Sequence, residues 1–142
     1  MKTAKIIAEL NKKYPNGIVI ENKNARGKTT EIICELPQKK ASSVNKSIAI
    51  AVIDSSTLHY HRVITETYHV ISGILHIFKY DQNNKQYIEY TLHKGEAITI
   101  LPGEIHSNLG DATWVEVVSS PAWFIEDYYN LDTIIKKYTK RA

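Results

Sequence analysis

Cysteine is almost absent: this chain of 142 residues has one, Cys34. A single thiol excludes an internal disulfide framework and any multi-cysteine zinc or iron–sulfur site. Arginine is scarce as well, with Arg26, Arg62 and Arg141 the full set. The formal charge is a mild +3, and the lysines are scattered through NKK, QKK and IIKKYTKR. A nucleic-acid binder gathers basic residues on one face, with arginine or aromatic side chains between them. No such cluster occurs, so no nucleic-acid partner is expected. The shortage of arginine also argues against a phosphate-rich ligand, because bidentate recognition of phosphate favours guanidinium. No apolar run approaches the length that crosses a bilayer, so no membrane association is expected. The opening MKTAKIIAEL mixes lysines and a glutamate with its apolar positions. It lacks the pattern of a secretory signal, which predicts a cytoplasmic protein.

What remains is an ordinary globular composition, 43% apolar and 23% charged, in a length that suits one domain. Ile6, Ile7, Leu10 and Tyr14 recur at helical spacing, Thr3 is placed to cap that helix, and Tyr14-Pro15-Asn16-Gly17 stops it. Residues 18–21 and 30–36 read as strands, the second closed by Pro37, and 38–46 as a polar connection. From Ser47 the texture changes. Apolar or alternating runs at 47–53, 66–72, 74–80, 86–92, 97–101 and 113–118 are separated by turn signals. Those signals include Gly73, Asp81 to Asn84, Lys94-Gly95, Pro102-Gly103 and Gly110-Asp111. Short strands at such spacing predict an all-β sandwich or barrel. Leu131, Ile134, Ile135 and Tyr138 return to helical spacing and predict a short C-terminal helix. The division expected is an N-terminal helix and strand arm over 1–44, a barrel over 45–120, and an aromatic segment and helix over 121–142.

Six histidines need places. His59 and His61 are two apart, so in a strand they share a face. A bend after them can bring Glu66 back beside them. Two imidazoles and a carboxylate on one inner wall form a divalent-metal half-site, and His106, after the Pro102-Gly103 turn, can add a fourth ligand. With one cysteine, any metal here is held by nitrogen and oxygen.

The spacing HxH-x4-E-x6-G at 59–73, with G-x5-LPG-x2-H at 95–106, resembles the two motifs of the cupins. The resemblance spans roughly residues 45 to 120. It implies a jelly-roll β-barrel holding one divalent metal (zinc, manganese, iron or nickel) on His59, His61, Glu66 and His106. The sequence departs from the family pattern at Leu101, where a proline is usual, and at Gly110, where asparagine often stands, with Asn108 nearby. Neither position is a ligand.

Among the remaining residues, Tyr68 shares the strand parity of Glu66 and faces the same interior. It is a candidate proton donor, or a core tyrosine. Glu116 is a candidate base if its strand turns it inward, a parity it shares with Trp114 and that the sequence leaves open. His69, His76, His93 and Arg62 read as outward-facing, and Glu104 as lying at the barrel mouth. Cys34 reads as a small apolar strand residue. The aromatic stretch from Pro121 folds over a barrel opening or packs on a partner.

Three imidazoles and a carboxylate leave roughly two positions open on an octahedral ion, for water or a chelating substrate. The resemblance therefore implies a metal-dependent isomerase, epimerase, dehydratase or lyase acting on a small sugar-like or hydroxy-carbonyl compound. The alternatives are a non-haem iron dioxygenase and a non-catalytic small-molecule-binding module. The strand TEIICEL suits pairing at a sheet edge, and a homodimer is expected.

Overall fold

The structure, a computed structural model, describes residues 1–38 and 45–131. The C-terminal helix expected around Ile134, Ile135 and Tyr138 lies outside the described residues. One helix, α1 (Thr3–Lys13), precedes ten strands: β1 (Ile18–Lys23), β2 (Thr29–Glu35), β3 (Ser47–Ser55), β4 (His59–Tyr60), β5 (Thr65–Ser72), β6 (Leu75–Asp81), β7 (Gln86–Leu92), β8 (Ala97–Ile100), β9 (Ile105–Ser120) and β10 (Tyr129–Asn130).

Helix α1 exists to cover a sheet. Ile6 and Leu10, one turn apart, are buried, and Leu10 is fully so. Lys12 and Lys13 occupy the last turn, where the helix dipole favours positive charge. Lys13 also pairs with Glu9 at 2.9 Å. Thr3 does not cap the helix. Lys2 occupies the cap position with no side-chain bond, and Thr3 is already helical. The start is held instead by the chain terminus, whose ammonium lies 3.4 Å from Asp54.

Every strand pairing is antiparallel among the described residues. One wall runs β1-β2-β3, then the second half of β9, then β5 and β8. The other holds β7 and β6, the first half of β9, β4 and β10. Strand β9 belongs to both and joins them, so the sheets close on each other as a curled barrel. The arm strands β1 and β2 extend the first wall of their own chain.

Two apolar layers follow from strand alternation. Ala51, Ile53, Tyr68, Val70, Leu75, Ile77 and Val115 fill the barrel interior. Ile32, Cys34, Ile50 and Val52 point the other way and pack beneath Ile6 and Leu10 of α1. Cys34 is thus a small apolar residue of this outer layer.

Strand β9 differs from expectation in a way that matters for the site. Gly110-Asp111 reads as a turn, yet the strand passes through it. Ala112 adopts φ 47°, and Asp54 Oδ1 accepts its N–H at 2.8 Å. The register with β3 slips between Ile53 and Ser55. Gly110 approaches so closely that a Cβ would lie 2.7 Å from the Ile53 carbonyl oxygen. This is a bulge, and it bends the strand from one wall to the other. It also reverses side-chain parity: Asn108 lines the cavity before it, and Val117 and Ser119 line it after.

Candidate metal centre

Four side chains meet where the two walls converge. His59 lies on β4 directly opposite His106 of β9. His61 follows just beyond β4, and Glu66 is the second residue of β5. All four are buried. One ligand atom from each falls within 4.8 Å of all the others. The imidazole centroids of His59 and His106 are 4.3 Å apart, and those of His59 and His61 are 5.2 Å apart.

The backbone fixes which nitrogen faces the centre. Nδ1 of His59 is 2.7 Å from the Thr57 carbonyl, Nδ1 of His61 is 2.8 Å from that of Asp127, and Nδ1 of His106 is 3.0 Å from that of Glu104. A carbonyl oxygen only accepts, so each Nδ1 carries its hydrogen and donates it. Each Nε2 is left with a lone pair aimed inward. Nε2 of His61 lies 3.0 Å and Nε2 of His106 3.5 Å from Glu66 Oε1. Both nitrogens are buried and, as neutral acceptors, have no donor facing them among the described residues. Buried lone pairs facing a carboxylate repel it unless a cation stands between them. The donor set therefore fits a divalent ion of the nitrogen- and oxygen-preferring kind.

The proton affinities point the same way. Burial, together with nearby His106, pushes His59 down to about 3, so it stays neutral and available. Burial opposes the charging of His61, but the Glu66 carboxylate outweighs it and raises that imidazole. Burial would raise Glu66 too, yet His106 and His61 hold it well below the usual carboxylate range. In the absence of metal the site draws a proton to the place where the ion fits.

The turn before His106 shows how the departure at Leu101 is tolerated. Leu101 is exposed and gives its N–H to Glu104 Oε1 at 2.7 Å. Glu104 Oε2 pairs with Lys79 at 3.0 Å. Gly103, at φ 84°, donates to the His61 carbonyl at 2.6 Å. A side chain and a backbone bond thus hold the turn without a proline at that position.

No protein-family model and no curated protein matches the sequence. Solved structures do match. The nucleoside dehydratase Pac13 superposes with a TM-score of 0.65 at 13% identity, over 84% of this chain and 88% of its own. The capsular polysaccharide assembling protein CapF from Staphylococcus aureus gives 0.61 at 22% identity, over 81% of this chain and 34% of its own. A variant of oxalate decarboxylase from Bacillus subtilis gives 0.67 at 14%, over 89% of this chain and 36% of its own.

The chain has the cupin fold. The chain spans about a third of the length of CapF and of oxalate decarboxylase.

In this fold the four residues of the expected ligand set converge, and Tyr68 stands beside them. Its buried hydroxyl donates to Glu66 Oε1 at 3.3 Å. Burial, and the negative charge of Glu66, push the phenol well above its ordinary range, so it remains a donor. Glu116 does not join the site. Counting by twos from His106 would turn it inward, but the bulge at Gly110–Ala112 reverses the parity. It stands half-exposed on the outer face, 4.0 Å from His69. Trp114 shares that face, packed against the layer beneath α1 with Lys13 over its ring at 5.0 Å. His69, His76 and His93 are also outside the cavity, with His76 bonded to Glu89 at 2.9 Å. Arg62 stacks over Tyr129 at 4.5 Å.

The segment after β9 closes over the barrel opening. Its Asp127 is the anchor. Oδ1 accepts the N–H groups of Arg62 (2.9 Å) and Val63 (3.2 Å), and Oδ2 those of Val63 (3.1 Å) and Ile64 (2.8 Å). Burial resists its charge, but these bonds hold its carboxyl below the usual range. The same residue's carbonyl orients His61. Tyr128 stacks on His59 at 4.9 Å and bonds Thr57 through its hydroxyl. Sequence reading gave this stretch no role at the metal site.

Beside the four residues lies a cavity of about 610 Å³. Its walls include Glu31, Ile33, Asn108, Trp123, Ile125 and Tyr128. Asn108 Oδ1 is buried and has no partner among the described residues, and the Asn108 amide contacts the Tyr68 phenol. Glu31 stands on β2 with its carboxyl bonded to Asn22 of β1.

Proposed function

We propose that this cupin is a metal-dependent enzyme that isomerises, epimerises or dehydrates a small sugar-like or hydroxy-carbonyl compound. One observation carries the reading: three imidazoles locked by backbone carbonyls, with one carboxylate, aim their free electron pairs at a single buried point. That point opens on a cavity sized for a small organic molecule. A bound divalent ion would polarise a substrate oxygen there. His59, His61, Glu66 and His106 would hold it. The chain's other residues would do the rest. Tyr68 keeps its proton and can donate it to a substrate oxygen. Asn108 offers an unpaired acceptor for a substrate hydroxyl. Trp123, Ile125 and Tyr128 line the mouth of the cavity and offer apolar and aromatic contact to a substrate.

The likeness to Pac13, a nucleoside dehydratase with a variant structure in complex with uridine, supports a substrate that carries a sugar hydroxyl. Dimerisation and a cytoplasmic location belong to the same proposal. Edge strand β1 leaves Ile18 and Ile20 exposed, which suits pairing with a second copy.

The test is metal content measured on untagged protein, followed by turnover of aldoses, ketoses, 2-hydroxy acids and uridine with and without oxygen. Metal near one equivalent, with turnover independent of oxygen, supports the reading. Turnover that needs oxygen moves the protein to the dioxygenase class. Metal-free protein that binds these compounds without converting them makes it a binding module. Light scattering at the mass of a monomer would remove the dimer.

A further inference from the structure

Strand β2 carries an acid on the cavity side that the ligand set does not use. Along Glu31, Ile32, Ile33 and Cys34, the even positions pack under helix α1. The odd positions line the cavity. A carboxyl therefore projects into the chamber from the wall formed by β1, β2 and β3. Its neighbours across the pairings are Asn22 on β1 and Ile53 on β3. Its field reaches both Glu66 and Tyr68, which line the same chamber. The other titratable and charged groups on these walls are His59, His61 and Tyr128 near the centre, and Glu21, Lys23 and Glu35 on β1 and β2.

We propose that Glu31 is the catalytic acid–base of this cavity, moving a proton on a substrate held at the four-residue centre. The inference rests on the metal-enzyme reading above and deepens it. In the isomerisation direction, the Glu31 carboxylate takes the proton from the carbon next to a carbonyl. The electron pair of that C–H bond moves toward the carbonyl oxygen, which Tyr68 meets with its O–H. Glu31 then returns that proton to the former carbonyl carbon, while the hydroxyl on the first carbon becomes the new carbonyl and its proton replaces the one Tyr68 gave to the other oxygen. No oxidant or further reactant is needed, and Glu31 ends as it began.

The proton affinity of the group suits the role. Burial, together with the charge of Glu66, raises Glu31 to about 7, although Asn22 works against the rise. A group that is half ionised near neutrality can serve as base and then as acid. Glu66, in the same chamber, is pushed the opposite way. Two carboxyls driven apart by their surroundings carry different tasks: one holds charge, the other exchanges protons.

The experiment compares parent, Glu31→Gln and Glu31→Asp as metal-loaded protein. Zinc affinity is read by calorimetry. Turnover of the same aldoses, ketoses, 2-hydroxy acids and uridine is read by NMR in D2O, which also records deuterium entering the substrate. The Gln variant should bind zinc as the parent does and lose about 100-fold or more in kcat, with the loss of deuterium exchange. The Asp variant should recover part of the rate, and the inflection near neutral pH should vanish only in the Gln variant. Undiminished kcat in Glu31→Gln overturns the role of Glu31 while leaving the metal-enzyme reading intact. If the zinc-loaded parent converts none of these compounds, both fall together. If the Gln variant loses zinc, Glu31 is a structural support of the centre and the proposal is wrong.

Discussion

The clamp made by Asp127 is the sharpest place to perturb this structure. Its carboxylate receives three backbone N–H groups through four contacts of 2.8–3.2 Å, and Ile64, one of the donors, is buried. Changing Asp127→Asn keeps the shape and one acceptor oxygen but turns an NH2 group toward the N–H of Ile64 or of Arg62. At least one charge-assisted bond is lost, at about 1.5–3 kcal/mol, and a buried donor goes unpaired at about 1–3 kcal/mol. The two overlap, so a loss of roughly 3 kcal/mol is expected, or on the order of 10 °C in melting temperature for a domain of this size. The Asp127 carbonyl also aims His61 at the centre. A shifted clamp should therefore weaken metal binding by roughly 10–100-fold, as loss of an outer-shell partner does elsewhere. Thermal and urea unfolding of the metal-free proteins, with zinc calorimetry on the folded ones, reads both effects. The sign with pH is fixed too. Asp127 titrates below its ordinary value, so its contribution is present above that value and lost as the solution is acidified through the lower one. The Asn variant should lose that acid sensitivity. A variant as stable as the parent, with unchanged zinc affinity, would mean that residues 121–131 do not dock as described.

Other outcomes follow from the same contacts. Gly110→Ala places a Cβ 2.6 Å from Thr113 Oγ1 and 2.7 Å from the Ile53 carbonyl oxygen, and should cost about 1–3 kcal/mol in urea unfolding. Leu10→Ala empties a fully buried site between α1 and the sheet, with an expected loss of about 2–5 kcal/mol by the same assay. Glu31 has a folded-state affinity raised to about 7, so the folded protein holds a proton that the unfolded chain releases. Stability should fall as pH rises from about 4.5 to about 7, by at most about 3 kcal/mol, and by less because the carboxyl is partly exposed in its cavity. Unfolding curves across that range should lose the slope in Glu31→Gln. Glu66→Gln removes the one carboxylate of the proposed ligand set and should reduce zinc affinity by more than the roughly 10–100-fold expected of an outer-shell change.

How much of this was legible in the sequence varies from residue to residue. The four proposed ligands were readable because each lies in a short window where strand period and a tight turn fix the geometry. His59 and His61 differ by two, and His106 follows Pro102-Gly103. Tyr68 was placed by counting two from Glu66. Glu116 escaped the same counting because a bulge inserts one residue between His106 and Glu116. The contacts that make the bulge, Gly110 against Ile53 and the Ala112 N–H on Asp54, join distant parts of the chain. Asp127 and Tyr128 act on His61 and His59 from far along the chain, Asp127 at a separation of 66 residues, and no spacing rule spans that distance. Glu31 did leave a trace. In TEIICEL the glutamates share parity with Ile33, which puts a carboxyl on the same face as an apolar neighbour. That is the pattern of a strand facing a polar cavity.

Three nitrogens and a carboxylate meet at one buried point, and the proposed chemistry depends on a metal ion there. Crystals grown with excess zinc, with diffraction recorded on both sides of the zinc absorption edge, test it most directly. A single strong anomalous peak is expected, bonded to Nε2 of His59, His61 and His106 and to the Glu66 carboxylate. No peak there, or zinc seated elsewhere with these four side chains in place, would contradict it.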